Sequence, residues 1–484
     1  MRERFDVAVC GGGTAGPVVA SRLVEAGASV ALLEAGPDHG AYADGGWPSD
    51  LLDASTIPTS HDWGYVSEDD RRLTFDRAKV IGGCSAHNGT TASWGHRADF
   101  DGWGLDGWEA DEVLPLFEEA TRRMRVRRFA ESEWTPFHRA FIEAGVELGL
   151  PHEDGLLSLD VRPSVCAEPQ NSPDGVRWNA AFAYLDPVRD SDRLTVVGRA
   201  IVDGVLIREH RVVGVAAVGD DGPFRIDADR VVVAGGTYGS PAILLRSGIG
   251  PAEDLRGLGI EVVADHPGVG GNLHDHPSFA VPIEPSEEYS RRRSAIAAAG
   301  GDLPDEMGFS CLATSLATDG VIDLHLFSVD DGLGPNEDLP GLFVTCLTPR
   351  SKGRLRLRGP DPNAAPILDH AFLSDADDHD LEVIVEGVQH ARRFLAAAPL
   401  ASLVAREVMA RTADLRSAVR AGVRHCYHPV GTCAMGDVTD ERGRVHGIEG
   451  LVVADASLMP QTVRATTNLP TVVIAERIAR WLVA

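Results

Sequence analysis

The sequence predicts an α/β fold, α+β overall, that joins a domain built on a parallel sheet to a domain in which helices cover an antiparallel sheet. Two observations predict it. A strand, a glycine-rich turn, a helix and a second strand follow one another at the N-terminus, the pattern of a βαβ unit. Later strand patterns lie far apart along the chain, an order that permits a parallel sheet assembled from discontinuous segments. The 484 residues are enough for about two or three domains, each with its own core.

The first unit runs from a Val-rich strand over residues 5–11 through the turn at 11–16 and a helix that ends near Gly27 to a strand over 30–34. The turn carries the Gly-x-Gly-x-x-Gly spacing of a Rossmann-like domain. Such a turn lets the backbone approach a pyrophosphate and directs the amides of the following helix at it.

The elements that follow fit the same two domains. Apolar positions at helical spacing predict helices over 101–150, and alternating strands over 193–236 end in a buried, parallel-type strand. Mixed strands between 276 and 425 predict the antiparallel sheet, with an amphipathic helix that opens near Ser374. Residues 283–306 have little periodicity, which is typical of either a mobile lid or a plain surface loop.

Charge and composition exclude several classes of function. The 45 Lys and Arg residues against 72 Asp and Glu give a net charge of −27, which disfavours nucleic acid as a partner. No stretch reaches the ~20 apolar residues of a membrane span, and the N-terminus has no apolar signal run. We therefore expect a cytoplasmic protein. Seven scattered cysteines argue against a disulfide framework.

Glu34 adds a second signal to the glycine turn. It lies 18 residues beyond Gly16, at the end of the second strand, where a carboxylate can accept hydrogen bonds from a ribose diol. This favours an adenine dinucleotide without a 2′-phosphate. The turn alone does not separate NAD from FAD.

Motifs along the rest of the chain make that distinction. RAKVIGGCSAHNG at 77–89, GSPAILLRSGIG at 239–250 and HPVGT at 428–432 occur in this order, with GVGGNLHDHP at 268–277 and VADASLMP at 453–460. Together they resemble the glucose-methanol-choline (GMC) oxidoreductase family over almost the whole length, and the setting of His87 is similar to its choline-oxidase branch.

The resemblance implies an FAD enzyme whose cofactor domain comprises residues 1–150, 190–275 and 426–484, with a substrate domain from 151–189 and 276–425 over the isoalloxazine face. No metal is expected. The resemblance, with the glycine turn, places these residues at the cofactor: Gly11, Gly13, Thr14, Ala15, Gly16, Glu34, Ala35, Val80, Gly83, Ser85, His87, Asn88, Gly89, Thr90, Val202, Asp455, Ala456, Asn468 and Thr471.

Two histidines carry specific expectations. In relatives, the residue that corresponds to His87 can be joined covalently to the flavin; packing of a neutral imidazole beside the ring is the alternative. His428 is the expected base, because an imidazole can accept the hydroxyl proton of an alcohol while a hydride passes to flavin N5.

The chain departs from the family where a second His or Asn usually contacts the substrate oxygen. Thr466 occupies this position, six residues after Pro460, and a threonine cannot act as a base at neutral pH. Asn468 could substitute if the loop is shifted, although an asparagine there ordinarily lies by the flavin. The second catalytic role stays open between Thr466 and Asn468.

The sequence leaves the reaction partners open. The expected substrate is a small-molecule alcohol, and the electron acceptor is oxygen, a quinone or another redox carrier. The length of the chain is similar to that of a short branch associated with mycofactocin, which would make the role reoxidation of a reduced carrier. A non-redox flavin-dependent lyase is the alternative from another class.

A metal centre is the remaining alternative. His425, Cys426, His428 and Cys433 lie close together in sequence, but neighbouring residues of a strand point to opposite faces, and no second Cys-x-x-Cys half exists. The other histidine group, His266, His274 and His276, is interpreted as a loop around Asp275.

Overall fold

The computed structural model describes residues 4–68, 71–153, 155–298, 309–316, 320–329, 339–409 and 414–484. Its strands are β1 (Phe5–Cys10), β2 (Val30–Leu33), β3 (Tyr65–Val66), β4 (Thr74–Phe75), β5 (Ser164–Ala167), β6 (Leu194–Val197), β7 (Ile201–Arg208), β8 (Arg211–Gly219), β9 (Gly222–Val233), β10 (Ile249–Gly250), β11 (Ala264–Asp265), β12 (Pro277–Pro285), β13 (Phe309–Ala313), β14 (Leu324–Val329), β15 (Gly341–Cys346), β16 (Arg354–Arg356), β17 (Ile367–Asp369), β18 (Val404–Glu407), β19 (Arg424–His425) and β20 (Leu451–Val453).

The helices are α1 (Ala15–Glu25), α2 (Ser49–Leu52), α3 (Arg97–Trp103), α4 (Ala110–Arg123), α5 (Pro136–Glu147), α6 (Gly236–Arg246), α7 (Ala252–Gly257), α8 (Glu287–Ala298), α9 (His379–Ala396), α10 (Ala398–Ala401), α11 (Leu415–Gly422) and α12 (Asn468–Val483).

The first sheet has the order β6-β2-β1-β9-β8-β7, with β20 also paired to β9. The pairs among β6, β2, β1, β9 and β20 are parallel, whereas β7, β8 and β9 form an antiparallel meander. The parallel strands read as continuous apolar runs because helices cover both faces of such a sheet. The predicted α/β class is confirmed.

The second sheet is antiparallel, with the order β18-β12-β15-β14-β13-β5 and β19 paired to β12. Its buried strands share a core with α5 and α9. Helix α9 contributes the predicted apolar stripe, including Leu381, Ile384 and Val388.

Three local predictions differ from the structure. The segment predicted as a lid or loop contains the end of β12 and helix α8, and its residues 299–306 lie outside the described ranges. The strand β16 pairs with β17 in a separate hairpin rather than joining the large antiparallel sheet. Helix α9 begins at His379, not near Ser374, because the Asp375 carboxylate accepts the His379 amide and precedes the first helical turn.

The two cores also differ from the predicted domain ranges at their edges. Phe137 and Phe141 of α5 pack in the core of the second sheet, although residues 1–150 were assigned to the cofactor domain. Leu355 and Leu368 of the β16–β17 hairpin, with Tyr184, pack in the core of the first sheet. Contacts made across long sequence separations decide these placements, and local patterning does not show them.

No helix in the described part of the chain has the length and apolarity needed to cross a bilayer. All seven cysteines are free thiols.

Candidate active site

The glycine turn between β1 and α1 is built for close backbone approach. Gly11 has φ of 110°, and a Cβ at Gly16 would lie 1.9 Å from the Gly11 carbonyl oxygen. Only glycine therefore lets the first turn of α1 pack against the strand end. The N-cap Thr14 makes no side-chain cap bond, which leaves the first-turn amides directed at the loop.

A second uncapped helix start meets the first. The N-cap of α12, Thr467, makes no side-chain cap bond, and Asn468 accepts a hydrogen bond from the Thr14 hydroxyl at 3.1 Å. Gly83 comes equally close, since a Cβ there would lie 2.4 Å from Gly13 Cα. Three distant predicted segments are thus brought together at one point where two positive helix ends converge.

Glu34 lies beside this turn with 6% of its surface exposed. Its two carboxylate oxygens accept the amides of Gly12 and Gly36, each at 2.8 Å. Burial raises the pKa of Glu34 to about 7, opposed by these amide bonds. The backbone carbonyls of Glu34 and Gly36 accept hydrogen bonds from amides of the segment that precedes β7. Ala35 and Gly36 line a cavity of about 320 Å³ there, next to Arg199.

The segment 85–90 is held in an irregular conformation. The Ser85 hydroxyl donates to the Gly82 carbonyl and accepts the Ala180 amide, so it serves the fold. Thr90 has φ of 60°, its amide bonds the Asn88 side chain, and its buried hydroxyl oxygen has no partner within the described residues. The imidazole of His87, 6% exposed, donates Nε2–H to the Ser60 carbonyl at 2.9 Å.

The side chains of some predicted cofactor residues make hydrogen bonds or packing contacts within the protein itself. Asp455 is 1% exposed, and its carboxylate accepts bonds from Gly236, Ser240 and Ser457. It ties β20 to the start of α6. The Thr471 hydroxyl donates to the Thr467 carbonyl within α12. Val80 and Val202 are buried in the first core, Gly89 and Ala456 offer no polar side chain, and their predicted contacts are through backbone or packing.

His428 lies against a second imidazole. Its Nδ1 is 2.9 Å from Nδ1 of His276, whose Nε2 is 3.1 Å from the Thr462 hydroxyl. The two rings meet edge to face at 85°. His276 is fully buried, and burial lowers its pKa to about 3. Removal from water, then the neighbouring imidazole of His276, also lowers the pKa of the half-buried His428 well below its usual value.

A small cavity of about 10 Å³ lies beside His325, which is close enough to His428 to affect its charge state. It is lined in part by Glu168, His325, Ser310 and Thr466. Glu168 is 4% exposed, and it accepts bonds from Thr91, Ser310 and, at 3.1 Å, from Nε2 of His325. Burial opposes ionisation, but these hydrogen bonds outweigh it and hold the pKa of Glu168 below its ordinary value. His325 also lowers the pKa of His428, so the cavity and the His428–His276 pair are neighbours.

Thr466 is engaged by the protein rather than free. Its hydroxyl lies 3.0 Å from the Ser93 hydroxyl and 3.1 Å from the Thr91 carbonyl, and its amide donates to Ser93. The Thr466 hydroxyl and amide are therefore already hydrogen-bonded to other residues of the protein.

Comparison with known proteins identifies the family. Family models described as GMC oxidoreductase match residues 5–278 and 349–475. The chain is 33% identical over 520 residues to the choline oxidase of Arthrobacter globiformis, which covers 99% of this chain and 94% of that protein. The chain belongs to the GMC oxidoreductase family.

Further proteins are similar to this GMC oxidoreductase in sequence or in fold. An oxygen-dependent choline dehydrogenase of Pseudomonas syringae pv. tomato is 32% identical over 536 residues, with 99% of this chain and 93% of that protein covered. The crystal structure of pyridoxine 4-oxidase from Mesorbium loti superposes with a TM-score of 0.87 at 27% identity, covering 98% of both chains. A fungal aryl-alcohol oxidase shares the fold, with a TM-score of 0.81 at 21% identity over 100% and 99% of the two chains.

The GMC oxidoreductase is an FAD-dependent oxidoreductase, which confirms the predicted resemblance, cofactor and enzyme class. Its residues fit the cofactor on their own. Two uncapped helix N-termini meet at the glycine turn and suit a pyrophosphate. The Thr90 hydroxyl, for which the described part of the chain offers no hydrogen-bond partner, lies in the segment where the flavin is predicted.

Sequence reasoning missed four polar side chains of this site: Asp275, His276, Glu168 and His325. The first two were interpreted as a loop, although an imidazole directly before an apolar strand was a signal. For the other two, the signal was a titratable residue at or within an apolar strand of the antiparallel sheet, since Glu168 directly follows β5 and His325 lies in β14. His276 and its partner His428 lie 152 residues apart in the chain, and Glu168 and His325 lie 157 apart.

The side chains weighed for a metal have separate partners. His425 donates to the Thr74 carbonyl, His428 contacts His276, and Cys433 is buried in the core. Among the described residues, ligand-like spacing occurs at Cys346, His379 and Asp380. The Asp380 carboxylate accepts the amides of two loop residues there, so this group joins α9 to the end of β15.

Proposed function

We propose that this GMC oxidoreductase oxidises the CH–OH group of a small alcohol to an aldehyde or ketone, with His428 as the base. The observation that carries the proposal is the His428–His276 contact at 2.9 Å between two Nδ1 atoms. It occupies one nitrogen of His428 and leaves Nε2 as the atom available to a substrate hydroxyl.

The electrostatics of the pair support this role. His276 stays neutral at neutral pH because burial lowers its pKa to about 3. A hydrogen bond between the two Nδ1 atoms requires one ring to donate and the other to accept. When His428 donates, its Nε2 carries the lone pair that removes the hydroxyl proton. The lowered pKa of His428 keeps the ring neutral and ready to accept that proton.

FAD, when bound, supplies the hydride acceptor at flavin N5, which no side chain can provide. The chain's own residues position the alcohol and take the proton. We assign the second contact to the substrate oxygen to His325 rather than to Thr466 or Asn468. His325 lines the cavity, and Glu168 and Ser310 hold its Nε2, which leaves Nδ1 for the substrate oxygen. By contrast, the Thr466 hydroxyl bonds Ser93 and Thr91, and the Asn468 side chain bonds Thr14.

Oxygen is the proposed electron acceptor, because relatives carry the names choline oxidase, oxygen-dependent choline dehydrogenase and pyridoxine 4-oxidase. These names also support an alcohol substrate. Reoxidation of a mycofactocin-type carrier, a quinone acceptor and a cytoplasmic location stay predictions. Readmitting air to the reduced enzyme separates oxygen from the other acceptors, since only an oxidase recovers its yellow colour rapidly.

Anaerobic mixing with a panel of alcohols tests the function. We expect a productive alcohol to bleach the flavin absorption, and His428→Ala to slow bleaching by about 10²- to 10⁴-fold, the usual contribution of a general base. The mutant should keep its FAD. The matched control is His210→Ala, a surface imidazole in the turn between β7 and β8. An unchanged bleaching rate in His428→Ala contradicts the assignment, and cleavage of a hydroxynitrile without bleaching supports the lyase alternative.

A further inference from the structure

The turn that presents His428 is strained. Tyr427, directly before it, has φ of 62°, a left-handed conformation that is uncommon for a residue other than glycine and costs about 1–3 kcal/mol. Its side chain is 45% exposed and packs edge to face on His425. The Tyr427 carbonyl accepts a hydrogen bond from Arg77 at 2.9 Å, which holds one end of this backbone and leaves the His428 amide to be held by another group.

Asp275 is placed to do so. It is 4% exposed, and its Oδ1 accepts the backbone amide of His428 at 2.9 Å. The amides of Cys426 and His276 also stabilise its negative charge. A carboxylate makes stronger hydrogen bonds to amides than a neutral acceptor does. Asp275 thus fixes both sides of Tyr427 and the neighbouring His276 with one side chain.

The other face of Asp275 is enclosed by polar groups from different elements. Oδ2 lies 3.9 Å from Nδ1 of His370, and neither atom has a hydrogen-bond partner within the described residues. Nε2 of His370 is 2.8 Å from the Tyr238 hydroxyl of α6. Arg77 is the neighbouring cation, and the Cys426 thiol is also close enough to sense the charge. His370, Arg77 and Cys426 therefore all lie close to the Asp275 carboxylate.

We propose that Asp275 is the positioning residue of the base: it holds the 426–428 turn in its strained conformation and so fixes the His428 imidazole against His276. This inference rests on the proposed function of His428. It assigns Asp275 no contact with the substrate. The role explains why a strained, exposed tyrosine precedes the base.

Protonation of Asp275 should weaken this hold. Burial raises its pKa to about 7, so the carboxylate is protonated below that pH and ionised above it. Since the ionised form binds the His428 amide more strongly, the rate of flavin reduction should rise through pH 7.

Substitution of Asp275 tests the proposal through the rate constant of anaerobic flavin reduction in the FAD-loaded enzyme. Asp275→Leu removes the acceptor, and we expect a fall of about 10- to 100-fold, the scale of a misplacement of the base by ~1 Å. Asp275→Asn keeps an oxygen for the His428 amide. We expect its rate to stay within about threefold of wild type at pH 7, with the rise through pH 7 abolished.

Two further variants separate positioning from a general structural role. Tyr427→Asn relieves the strain because asparagine tolerates the left-handed conformation. When it is combined with Asp275→Leu, we expect the double variant to recover at least about a third of the flavin-reduction rate that Asp275→Leu loses. In a His428→Gln background, Asp275→Leu should change the rate less than twofold, since the group it positions is already gone.

The results that overturn the proposal are distinct. An Asp275→Leu enzyme within twofold of wild type refutes it, as does an equal loss in the His428→Gln background. If Asp275→Leu does not fold, Asp275→Asn decides: an unchanged pH profile, or a loss above tenfold at pH 7, rejects the assignment. Failure of the proposed function is different, because it requires His428→Ala to retain the wild-type rate.

Discussion

His87 is a buried imidazole with one ring nitrogen still available. Burial lowers its pKa and keeps the ring neutral, and a neutral ring that donates Nε2–H to the Ser60 carbonyl carries its lone pair on Nδ1. Within the described residues, Nδ1 makes no hydrogen bond. A neutral, fixed ring with a free lone pair has the properties needed for a covalent bond to the flavin.

We predict that acid-precipitated wild-type enzyme keeps its yellow colour in the pellet, and that His87→Ala releases the flavin into the supernatant. The new bond would join a ring nitrogen of His87 to a methyl carbon of the flavin in place of one C–H bond, with loss of protons to water; the two electrons released would reduce the flavin and then pass to oxygen, the proposed acceptor. His446→Ala, at an exposed position, is the control and should retain the colour. Wild-type flavin found in the supernatant would establish packing of His87 beside the ring instead.

For single residues of the site, the sequence predicts a role where a local motif carries it and not where the role depends on a partner far away in the chain. The Thr14 and Asn468 positions follow from motifs, and the structure joins them by a hydrogen bond. The roles of His276 and Glu168 depend on contacts with residues 152 and 157 positions away. No local pattern reports which buried polar groups will face each other, so these partners could not be predicted.

Among the elements, the approach of the 82–83 turn to the glycine turn is the tightest constraint on the cofactor site. Gly83 has φ of 51°, and a Cβ there would lie 2.4 Å from Gly13 Cα. Both facing groups are backbone, so neither can move aside as a side chain could. The two loops can meet only with glycine at this contact.

Gly83→Ala should therefore destabilise the site. We expect a loss of about 1–3 kcal/mol in the free energy of unfolding and a lower FAD-to-protein ratio after purification, measured by urea unfolding and flavin absorption. The control is Gly102→Ala within α3, where a Cβ would meet nothing within 4 Å; it should stabilise by about 0.5–1 kcal/mol. Equal FAD content and stability in Gly83→Ala and wild type would contradict this interpretation of the contact.

Elements with one strong period were predictable, and their ends were not. The alternation that predicts the β1–α1–β2 unit is local, as is the apolar stripe of α9. The start of α9 depends on how Asp375 folds back onto the His379 amide, and the placement of β16 depends on its partner β17. Such choices are made by tertiary contacts.

At the scale of the whole molecule, two sets of buried titratable groups have opposite effects on how stability depends on pH. Burial lowers the pKa values of His274, His276, His370 and His425. A depressed histidine pKa stabilises the fold above the unfolded value, and this stabilisation is lost as pH falls toward the folded value.

Glu34 and Asp275 act in the opposite sense, because burial raises both pKa values to about 7. Their contribution is full below the unfolded value near 4 and is lost as pH rises to 7. Burial also raises the pKa values of Asp76, Asp99 and Asp455. Among the described residues, however, burial lowers the pKa values of nine histidines, so acidification from pH 6.5 to pH 4.5 should lower the overall stability.

His274 allows this balance to be tested with one side chain. It is 2% exposed, and neither ring nitrogen has a partner within the described residues. Burial, then the charge of Lys352, lowers its pKa from 6.5 to about 4. The wild type should therefore lose up to about 1.4 kcal/mol per pH unit through this group between those two values.

His274→Leu removes the titration and replaces two unpaired nitrogens with an apolar group of similar size. Between pH 7.5 and pH 5, we expect the free energy of unfolding of the FAD-loaded variant to rise by about 2 kcal/mol relative to that of wild type. Urea unfolding curves at both pH values measure this difference. The exposed His446→Leu serves as the control and should follow wild type. Parallel pH dependence of His274→Leu and wild type would show that this histidine does not contribute to acid sensitivity.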